Sequence, residues 1–171
     1  MIQLLIYFGA VNALALAASL GSGYLGQDMF MAHFAIGFLS SLSCVLWICV
    51  AMFYFIYSGQ AINRAQSAGL AIGEDVECAR LAKKKLFPWF MTAMLLLVTG
   101  PFLGATAQAK TGPMLAHNLI GWISAAVYWY SLYIGRPFII QTGATIGRIL
   151  EKVSELRRAK AAAAEKNRGG F

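Results

Sequence analysis

Charged residues are scarce in this sequence. Only 12% of its 171 residues are Asp, Glu, Lys or Arg, about half the share found in soluble domains. Hydrophobic residues make up 59%, and the mean hydropathy is +0.64. This composition predicts an all-α integral membrane protein, and the length suits a single domain.

The apolar stretches themselves carry no Asp, Glu, Lys or Arg. Proton pumps, voltage sensors and ion-coupled transporters need such charges inside the membrane, so these classes are disfavoured. The sequence also lacks a Walker loop, a nucleophile elbow and an HExxH motif. We therefore do not expect a self-contained hydrolase.

Cysteine is also rare and has no metal-binding pattern. Cys44 and Cys49 lie in an apolar stretch and Cys78 lies in a polar one. The chain has no CxxC pair, and no histidine stands at metal-ligand spacing from a cysteine. All three thiols are expected to be reduced, without a disulfide framework.

Four apolar stretches approach or exceed the roughly 20 residues that a helix needs to cross a bilayer. They predict a four-transmembrane-helix bundle in a domain of residues 1–137, with helices at about 2–20, 29–57, 87–103 and 114–135. We expect the Gly100-Pro101 pair to kink or end the third helix, and Pro137 to break or redirect the fourth.

Two polar segments complete the chain. Residues 58–86 are expected to form a cytoplasmic loop with one helix, acidic near Glu74 and basic near Lys85, as the helix dipole favours. The tail, 138–171, is basic and amphipathic. Residues 138–158 are predicted to form a helix on the membrane or on a partner, or to extend the fourth span. Residues 159–171 are expected to be disordered or frayed.

The basic residues predict the orientation. Five of the 14 lie in 58–86, eight lie from Arg136 onward, and only Lys110 lies in a loop on the other side. The net charge of +7 therefore reflects membrane topology, and no nucleic-acid partner is expected. By the positive-inside rule, both termini and the long loop are cytoplasmic, in a bacterial inner membrane.

The only two histidines belong to an internal repeat. The pattern A-H-x-x-I-G-x-x-S occurs at 32–40 and again at 116–124. Positions i, i+4 and i+7 share a helix face, so each copy predicts a stripe: His33, Gly37 and Ser40, then His117, Gly121 and Ser124. Two tandem helical hairpins related by a pseudo-two-fold axis would make the histidines face each other near the outer membrane surface.

One interpretation of the pair is bis-histidine ligation of a single b-type haem, with His33 and His117 as the metal ligands. The glycine one turn below each histidine would leave a flat wall for the porphyrin. Aromatic residues could pack on the ring and polar ones could meet its propionates: Phe34, Phe38 and Trp122, then Gln108, Lys110, Thr111 and Asn118.

The alternative is structural. Gly37-xxx-Ser41 and Gly121-xxx-Ala125 are small-xxx-small patterns that let helices approach closely, and the histidines could simply form hydrogen bonds between helices. Two ligands are too few for a typical zinc site. Copper would need help from methionine or cysteine, for which Met29, Met31 and Met114 are the candidates.

Four helices with histidines on the second and fourth resemble small b-type cytochrome membrane subunits of respiratory enzymes. Such subunits often hold two haems between histidines at both membrane faces, whereas this chain has one pair. The resemblance implies a non-catalytic subunit of an oxidoreductase complex of the respiratory or electron-transfer kind, in contact with lipid, with other membrane subunits and with quinol. A cofactor-free accessory or scaffold subunit and a small-molecule carrier are the alternatives.

Overall fold

A computed structural model shows a helical chain and describes residues 2–24, 30–109 and 111–168, a set that contains no strand. Its four helices are α1 (Ile2–Ser22), α2 (Phe30–Ser67), α3 (Gly73–Gln108) and α4 (Met114–Arg168). Consecutive helices pack against each other and run antiparallel, and α4 also packs on α1 and α2. For example, Asn12 bonds Ser43 whereas Ser19, further along α1, contacts His33.

Three of the helices are long and apolar enough to cross a membrane: α1, most of α2, and α3. These three helices support the membrane protein that the composition predicts. The first half of α4 is not among them, because its many Trp and Tyr residues give a lower mean hydropathy than the aliphatic residues of the other helices. A fourth span therefore stays a prediction.

The segment between the second and third spans is much more helical than expected. The loop predicted over 58–86 is only 68–72, since α2 and α3 both extend past the apolar stretches. Ile62 of α2 and Ala79 and Ala82 of α3 are buried. Tertiary packing thus continues the two helices through a region whose composition is polar.

Local chemistry makes the short turn. Gly69 has a positive φ of 73°, which glycine adopts without steric cost at a helix end. The Leu70 amide donates to the Ala65 carbonyl at 2.8 Å. On the other side, the Asp75 carboxylate accepts the Ile72 N–H at 3.3 Å and caps the start of α3.

The prolines do not end their helices. Pro88 and Pro101 lie inside α3, and Pro137 lies inside α4, so neither Pro101 nor Pro137 ends its helix, and a kink or change of direction there stays a prediction. A proline in a helix interior costs about 3 kcal/mol, because it removes a hydrogen bond and crowds the preceding turn. Buried side chains on both sides, Ser131 and Ile139 around Pro137, hold the helix together.

The tail is part of α4. The helix continues through 138–158 and on to Arg168, so disorder over 159–168 is wrong; residues 169–171 lie outside the described part. At about 1.5 Å per residue, its 55 residues span roughly 80 Å. This is far more than the roughly 30 Å of a bilayer's hydrocarbon core, so α4 extends well beyond any membrane span.

Contacts with the chain's own helices hold this extension in place. The Asp75 carboxylate of α3 accepts bonds from the Thr145 hydroxyl at 3.1 Å and the Arg148 guanidinium at 2.9 Å. The Lys152 ammonium donates to the Leu70 carbonyl at 3.4 Å. As far as Lys152, α4 therefore packs on α3 and on the turn that precedes α3.

The bundle core is centred on Trp47, which is 1% exposed. Its ring meets Phe90 and Tyr128 edge-on, with centroids 5.9 and 5.8 Å away. Its indole N–H donates to the Leu5 carbonyl at 2.7 Å. Helices α2, α3 and α4 thus meet α1 at Trp47, and this contact fixes the positions of the helices relative to one another along the bundle.

Candidate functional site

The structure brings the two histidines together. His33, near the start of α2, and His117, near the start of α4, have ring centroids 6.2 Å apart and ring planes at 80°. Both are half-buried. The repeat predicts this meeting, since it puts the two rings at equivalent positions on two helices of the same direction.

Each imidazole is fixed by a backbone carbonyl of a neighbouring helix. His33 Nδ1 lies 3.0 Å from the Ser19 oxygen and 3.1 Å from the Ser22 hydroxyl, and His117 Nδ1 lies 3.1 Å from the Gly100 oxygen. A carbonyl can only accept, so we assign the proton of each neutral ring to Nδ1. The Nε2 atoms then carry the lone pairs, and neither has a hydrogen bond within the described residues.

A glycine four residues after each carbonyl makes these bonds possible. A helical side chain covers the surface of the turn before it, so glycine at i+4 leaves the carbonyl of residue i open. A Cβ at Gly23 would approach His33 Cε1 to 3.1 Å, and a Cβ at Gly104 would approach His117 Cε1 to 2.8 Å. Sequence reasoning missed both glycines, although a glycine four residues after Ser19 and Gly100 is a visible signal.

The core repeats the same arrangement twice. Trp47 donates to the Leu5 carbonyl, and a Cβ at Gly9, four residues on, would lie 2.9 Å from its indole. The Tyr54 hydroxyl donates to the Ile139 carbonyl at 3.3 Å, and Gly143 follows four residues later. Interhelical bonds to carbonyls opened by glycine are thus a general device of this bundle.

The predicted glycines of the stripe face α1. A Cβ at Gly37 would meet the Ser19 hydroxyl at 2.9 Å, and a Cβ at Gly121 would meet the Leu20 side chain at 3.2 Å. The last turn of α1 therefore occupies the space in which a flat porphyrin wall is expected from the sequence. The two glycines let that turn approach α2 and α4.

The predicted serines are buried and bonded within their own helices. Ser40 Oγ donates to the Gly37 carbonyl at 3.1 Å, and Ser124 Oγ donates to the Ile120 carbonyl at 2.6 Å. Their hydroxyls stabilise the chain locally and do not bond the imidazoles.

The other residues expected near a haem lie on the surface. Phe34, Phe38 and Trp122 are 46%, 48% and 52% exposed, and the Trp122 indole donates to the Tyr24 hydroxyl at 3.0 Å. The polar candidates in the described part are also exposed: Gln108, Thr111 and Asn118. Lys110 and Met29 lie outside the described residues, and Met31 and Met114 are exposed.

Two imidazoles are fewer ligands than a bare metal ion usually needs. Residues 2–24, 30–109 and 111–168 contain no group of three or more His, Cys, Asp or Glu placed to hold a metal. Haem iron needs only two axial ligands from the protein. The number of donors therefore suits a haem, and the ring centroids of His33 and His117 are 6.2 Å apart. The expected glycine wall does not fit, because α1 fills the space beside Gly37 and Gly121.

Comparison of the chain with protein-family models, with curated proteins and with solved structures gives no match. The functional conclusion therefore depends on the histidine pair and its surroundings.

Proposed function

We propose that the chain is a membrane subunit of a respiratory or electron-transfer complex, and that it holds one haem b between His33 and His117. The observation that supports this is the facing pair, with centroids 6.2 Å apart and both Nδ1 atoms engaged by carbonyls. This leaves each Nε2 as the metal-binding nitrogen, the usual arrangement of a ligating histidine.

The proposed topology has four spans in two tandem hairpins, with residues 114–135 of α4 as the fourth span. Tyr128 supports this depth, because its ring packs on Trp47 and its hydroxyl reaches the Gly9 carbonyl at 3.5 Å. Both of those residues belong to apolar helices. The 13-to-1 distribution of basic residues supports cytoplasmic termini in a bacterial inner membrane.

When bound, the haem supplies one-electron transfer, here between quinol and a partner on the outer side. The chain's own residues orient the ligands. The Ser19 and Gly100 carbonyls accept hydrogen bonds from the Nδ1–H groups, which fixes the rotation of each ring. Neither residue touches the iron.

A cofactor-free accessory or scaffold subunit is the second candidate, and the glycines favour it. Gly37 and Gly121 admit the last turn of α1, and the histidines bond neighbouring helices, which are structural roles. Exposed aromatic side chains on α4, Trp129 and Tyr133 among them, would then meet other subunits.

A visible spectrum of the purified full chain, reconstituted with haem, separates the two candidates. With haem bound, we expect a low-spin Soret band that both His33→Ala and His117→Ala abolish, while Ser40→Ala keeps it. A scaffold would show no such band. Because a hydrogen bond between membrane helices is worth about 0.6 kcal/mol on average, a scaffold would also assemble normally with either histidine removed.

A further inference from the structure

A second site lies on the opposite end of the bundle, between α3 and α4. It is an open groove of about 920 Å³, lined by residues near Pro88 on α3 and near Pro137 on α4. We infer that this groove binds one anionic phospholipid, with the phosphate at its basic end and an acyl chain along its aromatic wall. The inference rests on the membrane placement proposed above and not on the haem.

The charge of the groove calls for an anion. Lys84, Lys85 and Arg136 line it, and no acidic side chain does. The ion pairs within the described residues are Glu77 with Arg80 and Asp75 with Arg148, so none of the three cations is neutralised there. Each Lys or Arg near an anionic lipid surface contributes about a fivefold gain in affinity.

The walls of the groove call for a lipid rather than a free phosphate ion. Trp89 and Tyr130 pack with ring centroids 4.6 Å apart, and Ile134 and Phe138 extend the apolar lining. Trp89 is 39% exposed, so an incoming chain can cover its ring. Trp and Tyr prefer the level of the headgroups, where phosphate and acyl chain join.

The two prolines add polar acceptors. Pro88 has no N–H to bond the Lys84 carbonyl, and Pro137 has none for the Tyr133 carbonyl. Both of those residues line the groove. A headgroup that carries hydroxyl donors, such as that of phosphatidylglycerol, suits such a mixture of cations and carbonyls that lack their usual helical donor.

The test uses the full chain in mild detergent, with native mass spectrometry to count retained lipid. Phosphatidylglycerol, phosphatidylcholine and inorganic phosphate are titrated separately. We expect one phosphatidylglycerol per chain, weaker retention of phosphatidylcholine, and no displacement of the lipid by millimolar phosphate. Arg136→Gln should weaken phosphatidylglycerol binding about fivefold, and Lys84→Gln with Lys85→Gln should weaken it further.

The matched control removes two positive charges, as the double lysine variant does, but from a part of α4 outside the groove. Arg157→Gln and Arg158→Gln, outside the groove, should leave retention unchanged, and Arg136→Lys should restore most of it. Equal loss in the control pair would mean diffuse attraction and overturn the proposal, as would equal retention of the two lipids. Full competition by phosphate would indicate a simple anion site. A missing Soret band would leave this result unaffected, so the two proposals fail separately.

Discussion

Gly104 lies directly against the ring of His117: a Cβ there would come within 2.8 Å of Cε1 and 3.2 Å of Nδ1. The same imidazole donates to the carbonyl of Gly100, one turn earlier. The position of the ring therefore depends on the missing side chain at Gly104. This gives the histidine pair a positional requirement that can be tested without touching either ligand.

Gly104→Ala should displace the His117 ring and lengthen its bond to Gly100. We expect a loss of about 1–3 kcal/mol of stability, typical of an overpacked site, and a weaker Soret band if haem is bound. Gly147→Ala in α4 is the control, because a Cβ there meets nothing within 4 Å. Thermal unfolding in detergent measures both, and equal melting temperatures would contradict the packing argument.

Gly9→Ala should disturb the centre of the core. The new Cβ would lie 2.8 Å from the Leu132 side chain and 2.9 Å from the Trp47 indole, so the Trp47 bond to the Leu5 carbonyl must shift. The expected cost is again about 1–3 kcal/mol. Gly21→Ala on the same helix has open space around its Cβ and should be neutral or slightly stabilising. Chemical unfolding followed by tryptophan fluorescence compares them.

Asp75→Asn should loosen the distal half of α4. The carboxylate is only 11% exposed and pairs with Arg148, and it also accepts the Thr145 hydroxyl and caps α3. Amide exchange in residues 145–156 should accelerate, and trypsin should cut there sooner. Glu77→Gln breaks an exposed ion pair with Arg80, a kind that contributes about 0–1 kcal/mol, and should change little.

Cys78 should react slowly with thiol reagents at neutral pH. Burial, and secondly the negative charge of Asp75, raise the pKa of its thiol, so less of the reactive thiolate is present. The labelling rate should therefore keep rising with pH beyond the range of an ordinary cysteine. Asp75→Asn removes one cause and should speed labelling at pH near 7.5. An unchanged pH profile in that variant would contradict the electrostatic part.

The membrane topology can be tested with the same thiol-labelling reaction at alkaline pH. A membrane-impermeant maleimide applied to intact cells should label Thr111→Cys, an exposed position on the side of the histidines, and spare Cys78. Gly112 is a poor choice for the probe, because a Cβ there would lie 2.6 Å from the Thr106 hydroxyl. Labelling of Cys78 alone would invert the proposed orientation.

Several features of the fold follow from the sequence by itself. Long apolar runs predict helices of membrane length, and α1, α2 and α3 have that character. The A-H-x-x-I-G-x-x-S repeat sets His33 and His117 at equivalent helix positions, and the rings do meet. Periodicity and composition are local properties, so they can be read without coordinates.

Other features required the tertiary structure. The polar segment 58–86 is mostly helix because residues such as Ala82 are buried against neighbours, and α4 passes Pro137 because its flanks are packed. Packing neighbours on other helices determine these outcomes, and the composition of a segment does not reveal which residues those neighbours are. The hydrogen bonds from the histidines to the carbonyls of Ser19 and Gly100 also required the tertiary structure, because they depend on which helices become neighbours.

Gly37 illustrates the division most clearly. The sequence determines that a notch follows His33 by one helical turn, since glycine has no side chain and the helix has a fixed period. Only the tertiary structure decides what fills the notch, and it is Ser19 of α1. A notch is a local property, whereas its occupant comes from a distant part of the chain and depends on how whole helices pack.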